Sequence, residues 1–216
     1  MNDIIKQLFF IPKCKCCQKL ADKDNLCEEC KKKLLHCRIS NANQPIKLTV
    51  KNISASFASY YYRDAAREIV KYAKFKNPAR FLNSFITDIS IDILKIMEEN
   101  SIDMVVQAPC HKSKLYKQEF SLPNEMLKKL SKLGLATDST CVKKIRKTAK
   151  QHNLSLEQRK VNLINAFQVT SDVTDKNILI IDDVITTGNT ISEIAKELKL
   201  AGRKNVYAWA YTFNSK

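Results

Sequence analysis

The pattern of apolar and polar residues predicts buried strands that alternate with amphipathic helices. Residues 178–181 are four consecutive aliphatic residues, which is typical of a strand buried on both faces of a parallel sheet. The apolar positions after residue 190 recur every three or four residues, and a capping box at Thr190 and Glu193 predicts that this helix begins at Thr190. A second buried strand is predicted at residues 102–108. This order favours an α/β fold in which helices flank a mostly parallel sheet.

The remaining elements follow from the same periodicities. Helices are predicted at residues 64–75, 79–100 and 123–133, and strands at residues 50–62 and 139–142. The first two of these helices are amphipathic, so we expect them to cover the sheet.

Aromatic residues close the predicted strand at residues 50–62. Tyr60, Tyr61 and Tyr62 are followed directly by Arg63. Aromatic rings beside a basic residue can stack on the bases of single-stranded nucleic acid. Rings in a strand belong more often to the core, and we favour that interpretation.

Acidic and hydroxyl side chains follow the buried strand at residues 178–181. Asp182 and Asp183 come first, and the turn before the helix contains Thr186, Thr187, Gly188, Asn189 and Thr190. A helix N-terminus attracts phosphate through its backbone N–H groups and its dipole. Two carboxylates can accept hydrogen bonds from vicinal hydroxyls or hold Mg²⁺. The combination favours a ribose 5-phosphate ligand, and the alternative is an ordinary turn with solvated acidic residues.

The second buried strand, at residues 102–108, ends in proline and basic residues. Pro109, Cys110, His111 and Lys112 follow it. Ligands of open α/β sheets lie outside the carboxyl ends of the strands, so His111 and Lys112 are candidate phosphate contacts at the same sheet edge. A surface position without a ligand is the alternative for His111.

Six of the eight cysteines lie within residues 14–37. Cys14 and Cys17 form one Cys-x2-Cys knuckle, and Cys27 and Cys30 form a second. Such a pair predicts a tetrahedral zinc site, and four thiolates leave no open position, so the zinc is expected to be structural. The alternatives are free or disulfide-bonded cysteines. The residues that could replace one ligand are Cys16, His36 and Cys37.

The chain is strongly basic, with 37 Lys and Arg against 22 Asp and Glu and a net charge of +15. This balance favours polyanionic partners, although a general lysine bias would also produce it. One basic segment spans residues 143–152 and lacks an apolar period. Its charged residues are Lys143, Lys144, Arg146, Lys147 and Lys150. We interpret it as a basic loop that is solvated or binds nucleic acid.

The chain organisation is predicted from the cysteines and from a short linker. Residues 1–42 form the zinc-finger module, residues 41–47 include Pro45 and connect it, and residues 48–216 form the main domain. The apolar run at residues 8–11 is too short for a signal peptide or a membrane span. We therefore expect a cytoplasmic protein without a transmembrane segment.

Residues 178–190 resemble the phosphoribosyl pyrophosphate (PRPP) signature of type I phosphoribosyltransferases. The resemblance implies that Asp182 and Asp183 contact the ribose hydroxyls and, indirectly, Mg²⁺, while residues 186–190 surround the 5-phosphate. It also implies that a flexible loop in the region of residues 143–152 closes over PRPP. Purine phosphoribosyltransferases place an acidic residue where Thr186 stands, so purine salvage is disfavoured.

Several stretches in chain order resemble the ComF family, which joins a zinc finger to a phosphoribosyltransferase domain. They are the four-cysteine finger, Tyr62, Lys74-Phe75, Ala108-Pro109, the Arg146/Thr148/Gln151/Leu154/Arg159/Asn162/Ala166-Phe167 pattern and the PRPP signature. A departure occurs at residues 118–122, where only Phe120 of the family's usual segment is kept. The resemblance implies a role in DNA uptake during natural transformation, beside the competence machinery at the inner membrane.

Two functions follow as expectations. The first is a PRPP-binding protein of DNA uptake that binds single-stranded DNA on a basic surface. The second is an active PRPP-dependent transferase with an unknown nitrogen acceptor. No residue of the sequence can be assigned to activate an acceptor.

Overall fold

The computed structural model describes residues 13–21, 26–75, 79–109, 121–149 and 162–214. The apolar run at residues 8–11 and the departure from the family pattern at residues 118–120 lie outside these ranges. Within the described residues, no helix combines the length and the apolar character that crossing a membrane requires.

Five helices and seven strands make up the described chain. The helices are α1 (Glu28–Cys37), α2 (Asp64–Phe75), α3 (Ala79–Glu99), α4 (Leu122–Lys132) and α5 (Asn189–Leu200). The strands are β1 (Ala55–Tyr61), β2 (Met104–Gln107), β3 (Thr137–Asp138), β4 (Val142–Lys144), β5 (Phe167–Val169), β6 (Asn177–Ile185) and β7 (Asn205–Phe213).

Five of the strands form one parallel sheet in the order β1-β7-β6-β2-β3. Strand β6 lies at its centre, where Ile180 is in register with Val106 of β2 and Ala208 of β7. All three side chains are buried. Strands β4 and β5 form a separate antiparallel pair. The predicted parallel sheet with flanking helices is thus present.

The two faces of the sheet carry two separate apolar clusters. One contains Leu179, Ile181 and Trp209 with helices α1 to α4, and the other contains Ile178 and Ile180 with α5 and the β4–β5 pair. Consecutive residues of a strand point to opposite faces, so a strand covered on both sides needs apolar residues at every position. This requirement explains the unbroken aliphatic run.

The strand order places a topological switch point between β2 and β6. The chain passes from β2 through α4 to β3 on one side, and from β6 through α5 to β7 on the other. Connections that leave in opposite directions open a crevice at the carboxyl ends of the two strands, where open α/β sheets bind ligands. Both predicted phosphate-binding segments begin at this edge.

Some predicted boundaries are wrong. The strand expected at residues 139–142 is interrupted, because a carboxylate oxygen of Asp138 accepts hydrogen bonds from the backbone N–H groups of Thr140 and Cys141 and forms a turn there. The strand expected from residue 50 begins only at Ala55, since the Ile53 N–H donates to the Val50 carbonyl in a turn. Strand β6 continues past residue 181 to Ile185 because its pairing with β7 continues.

The cysteine-rich segment packs into the same core as the sheet. Cys14, Cys30 and Leu34 belong to the cluster that contains Ile181 and Trp209. The division into a module at residues 1–42 and a domain at residues 48–216 stays a prediction.

An ion pair ties the end of α1 to the rest of the chain. The Arg38 guanidinium donates to both carboxylate oxygens of Asp92 in α3, at 2.7 and 2.6 Å, and to the Ser59 carbonyl in β1 at 3.0 Å. Asp92 is largely buried, with 11% of its side chain exposed. Two parallel hydrogen bonds fix the orientation of the Arg38 guanidinium as well as its position, so the chain leaves α1 along a defined path.

Candidate functional site

The two aspartates lie within β6, on its carboxyl-terminal half. Both are half-buried, and a carboxylate oxygen of Asp182 accepts a hydrogen bond from the Asp183 N–H at 2.8 Å. The Thr212 hydroxyl of β7 donates to the Asp183 carbonyl at 3.2 Å. Ile181 and Ile185 belong to opposite core clusters although they are four positions apart and would share a face of a regular strand, so the alternation of faces is interrupted at the aspartates.

The turn after β6 ends at a helix N-terminus. Gly188 is the N-cap of α5 and has a φ of +72°, in the left-handed region. A glycine cap has no side chain with which to satisfy the first N–H groups of the helix, so these groups remain suited to an anion. The capping box predicted at Thr190 is therefore wrong, because α5 begins at Asn189 and places Thr190 in its first turn.

Gly188 also lies against Val50, which follows the linker by three residues. A Cβ atom at position 188 would stand 2.5 Å from Cγ2 of Val50, whose side chain is buried. The position therefore requires glycine twice, for its φ angle and for its contact with Val50. The sequence carried no signal for this contact, because 138 residues separate the two positions.

Gly188→Ala is expected to destabilise the fold by about 2 kcal/mol, since a left-handed alanine costs about 1–2 kcal/mol and the contact with Val50 adds to that cost. Gly134→Ala is the matched control, because Gly134 has a φ of +83° and nothing lies within 4 Å of an added Cβ. Urea unfolding of both variants measures the difference. Equal losses would contradict a close contact at Gly188.

The carboxyl end of β2 lies beside the aspartates. The Ala108 N–H donates to the Ile181 carbonyl at 2.9 Å, directly before Asp182. The Gln107 side chain donates to the Ser139 carbonyl and joins this end to the chain after β3. His111 and Lys112 lie outside the described residues, so their assignment as phosphate contacts stays a prediction.

The basic segment does not begin as the loop that the sequence predicts. Lys143 and Lys144 lie in β4, because this stretch pairs with β5. The Lys144 ammonium donates to the Thr148 hydroxyl and lies 5.6 Å from the centre of the Phe167 ring. Lys143 and Lys147 are exposed. Lys150 lies outside the described residues.

Arg146 connects the two sides of the β4–β5 hairpin. Its guanidinium donates to the carbonyls of Asn162 and Ile164, at 3.0 and 2.8 Å. The Asn162 amide in turn exchanges two hydrogen bonds with the backbone of Ala149, each of 3.0 Å. Arg146 and Asn162, which belong to the sequence pattern that resembles the ComF family, thus hold the β4–β5 hairpin together.

Four cysteine sulfurs come together at the N-terminal end of the described chain. The Sγ atoms of Cys14, Cys17, Cys27 and Cys30 all lie within 4.8 Å of one another, and those of Cys17 and Cys27 are 3.6 Å apart. Sulfurs about 2.3 Å from a tetrahedral zinc lie about 3.8 Å apart. The cluster could therefore hold a metal ion such as zinc.

The other candidate ligands have different contacts. The Cys37 thiol donates to the carbonyls of Lys33 and Arg63, and the Cys16 thiol lies 3.9 Å from the Ala65 carbonyl oxygen. A ring nitrogen of His36 lies 2.8 Å from the Lys32 carbonyl oxygen. None of the three belongs to the sulfur cluster that the described residues form.

The thiols compete for negative charge. Burial opposes ionisation of Cys14, but hydrogen bonds from the backbone N–H groups of Cys27, Cys17 and Cys16 outweigh it and lower the pKa of Cys14 to about 6. Burial and the hydrogen bonds with the other three thiols raise the pKa of Cys30 far above its usual value. A divalent cation would remove this conflict by stabilising all four thiolates together.

The chain is similar to proteins of known families. Residues 121–210 match the model of the phosphoribosyl transferase domain. A stretch of 108 residues is 37% identical to a DNA utilization protein (YhgH) of Salmonella typhi and covers 50% of this chain and 48% of the relative. Competence protein F of Haemophilus influenzae is 27% identical over 111 residues, with the same coverage. The chain spans about half the length of these curated relatives.

The fold and the matched domain define the class. The chain contains a type I phosphoribosyltransferase domain, with a mostly parallel sheet and flanking helices, and a four-cysteine cluster at its N-terminus. Within that class, the domain and the relatives support a ComF-type family member, as the sequence predicts.

Proposed function

We propose that this chain binds PRPP together with Mg²⁺ at the carboxyl end of β6. The supporting observation is that two neighbouring carboxylates and a glycine-capped helix N-terminus follow one another at the switch point of the sheet. Asp182 and Asp183 would accept hydrogen bonds from the ribose hydroxyls and hold Mg²⁺ indirectly. The turn at residues 186–190 would bind the 5-phosphate through N–H and hydroxyl groups. His111 and Lys112 remain the candidates for the pyrophosphate.

The biological role that we propose is DNA uptake during natural transformation. Its support comes from relatives named DNA utilization protein and competence protein F. The net charge of +15 favours a nucleic-acid partner, and single-stranded DNA is the form we assign to it. In this role the protein works in the cytoplasm and meets the uptake machinery at the inner membrane. The four-cysteine cluster would hold a structural zinc ion.

An active transferase is the second candidate, and the match to a phosphoribosyl transferase domain favours it. A nitrogen nucleophile would displace pyrophosphate from ribose C1, so that the C–N bond forms as the C–O bond breaks. The aspartates would fix the ribose and the turn would fix its phosphate, so this chain's contribution would be positioning. Bound Mg²⁺ would neutralise charge on the departing pyrophosphate.

Calorimetric titration with PRPP, with and without Mg²⁺, tests the proposed site. We expect one PRPP per chain and at least tenfold tighter binding with Mg²⁺, because the metal links the phosphates to the acidic edge. Absence of PRPP binding in both conditions would refute the proposed function. Pyrophosphate release with a panel of nucleobases then separates the two candidates, since only the transferase releases it.

A further inference from the structure

A groove runs beside the start of the turn after β6. Residues 39–48, which include the linker, form one of its walls. The groove has a volume of about 1150 Å³ and lies between residues 39–48, the ends of β1 and β7, and the start of the turn after β6. The Ile39 and Ile46 N–H groups donate to the carbonyls of Ser59 and Ser56 in β1, at 2.9 and 2.8 Å. The linker is therefore fixed along the outer edge of the sheet, and the wall is part of the folded structure.

The chemistry of the lining is aromatic and basic. The side chains that line it include Lys47, Tyr61, Tyr62, Arg63, Thr186 and Thr187. None of the described residues that line the groove is acidic, although the chain contains 22 acidic residues. A groove with two cations and no carboxylate complements an anionic ligand.

Two aromatic residues of the groove, Tyr61 and Tyr62, belong to the tyrosine run that ends the predicted strand at residues 50–62. Tyr60 is buried in the core, as expected, whereas Tyr61 and Tyr62 pack against the core clusters, stay half-buried and also line the groove. The Arg63 guanidinium lies 5.3 Å from the centre of the Tyr61 ring and donates to the His36 carbonyl, which holds it in place. A guanidinium has five N–H donors, so this contact leaves others for a phosphate.

We propose that this groove binds a single strand of nucleic acid, with bases stacked on Tyr61 and Tyr62 and phosphates bound by Lys47 and Arg63. The inference rests on the proposed binding of single-stranded DNA and assigns it a site. Stacking on aromatic rings within a basic groove is how proteins bind single strands without sequence preference. Its volume of about 1150 Å³ lies near the upper end of the roughly 300–1,000 Å³ of ordinary ligand pockets, so the groove is roomy enough for more than a single base.

The β4–β5 hairpin is the rival location for the strand. Its aromatic residue, Phe167, is buried at 3% exposure and offers no open ring face. Lys144 and Arg146 donate to groups within the hairpin. Exposed cations without rings would give electrostatic binding alone, whereas the groove combines both contributions.

Fluorescence anisotropy with a labelled oligo(dT) tests the groove on the full, metal-loaded chain. Tyr61→Leu and Tyr62→Leu are each expected to weaken binding about tenfold, because one stacked base is lost. The Tyr→Phe variants keep the ring and are expected to stay within about twofold of the wild type. Circular dichroism and thermal melting of each variant establish that it is folded.

A matched pair of lysine variants tests the electrostatic part. Lys47→Gln is expected to weaken binding roughly fivefold at 0.1 M salt and to reduce the slope of log Kd against log salt by about 0.7, the value for one phosphate contact with a single strand. Lys51→Gln removes an exposed lysine that is not in the groove lining and is expected to change neither quantity.

The possible results distinguish an error in the groove assignment from a failure of the proposed DNA binding. If the wild type does not bind oligo(dT), the proposed DNA binding fails and the groove assignment fails with it. If the wild type binds and the groove variants bind equally well, while Lys143→Gln with Lys147→Gln weakens binding, DNA binding stands and its site is the hairpin. Weaker oligo(dT) binding by the leucine variants, together with unchanged binding by the phenylalanine variants, supports the groove as the DNA-binding site.

Discussion

Cys17→Ser is expected to remove the metal ion and to lower the free energy of unfolding by about 4 kcal/mol or more, because binding of a structural zinc is coupled to folding. Cys17 is exposed, so its substitution removes little packing, and the loss reports on the metal. Cys14 and Cys30 are buried in the core cluster shared with β6 and β7. The destabilisation should therefore reach the sheet. Zinc content and urea unfolding measure the two effects.

Cys16→Ser is the matched control for this substitution. Cys16 does not belong to the sulfur cluster that the described residues form, and its thiol lies 3.9 Å from the Ala65 carbonyl oxygen. We expect this variant to keep one zinc per chain and to lose at most about 1 kcal/mol. Normal zinc content in Cys17→Ser, with loss in Cys16→Ser, would show that the ligand set is wrong.

A chain of contacts connects the cysteine cluster with the turn after β6. Helix α1 begins directly after Cys27 and ends at Cys37, and the ion pair with Asp92 holds the next residue, Arg38, in place. The linker then follows β1 and reaches Val50, which packs on Gly188. Because the linker lies between the cysteine cluster and Val50 in the chain, we expect loss of the metal to loosen the linker before it loosens the sheet.

The sequence predicted the parts of the structure that depend on local pattern. The aliphatic run of β6 and the amphipathic period of α2 are local signals, and the predicted bounds of α2 match the structure. Spacing alone predicted which four cysteines come together, because knuckle geometry is local too. Strand β7 was not predicted, although it pairs with both β1 and β6.

Long-range contacts and side-chain turns limited the remaining predictions. The turn at Asp138 depends on one carboxylate that accepts two backbone hydrogen bonds, and residues 139–142 contain no glycine or proline that would have marked it. The wall that the linker forms depends on hydrogen bonds to β1, which no periodicity encodes. Tyr61 and Tyr62 do pack against the core clusters, as the sequence predicts, but a strand pattern does not show where a sheet ends and therefore does not predict that both stay half-buried.

Asp182→Asn with Asp183→Asn is expected to weaken PRPP binding at least about a hundredfold. Each hydrogen bond to a charged group contributes about 1.5–3 kcal/mol, and the double variant removes the charge from two acceptors. The fold should be retained, because an asparagine side-chain oxygen at position 182 can still accept the hydrogen bond from the N–H of residue 183. Calorimetry measures the PRPP affinity, and thermal melting measures the stability.

Asp172→Asn with Asp175→Asn makes the same change in net charge away from the site. Both residues are exposed and precede β6, so they lie at the opposite end of the strand from the candidate site. If the control pair weakens PRPP binding as much as the site pair, the loss is not specific to the two carboxylates of β6. If neither pair changes the affinity, PRPP does not bind at the carboxyl end of β6. Loss confined to the site pair supports contact of these two carboxylates with the ligand or its metal ion, since removal of negative charge alone would strengthen the binding of an anion.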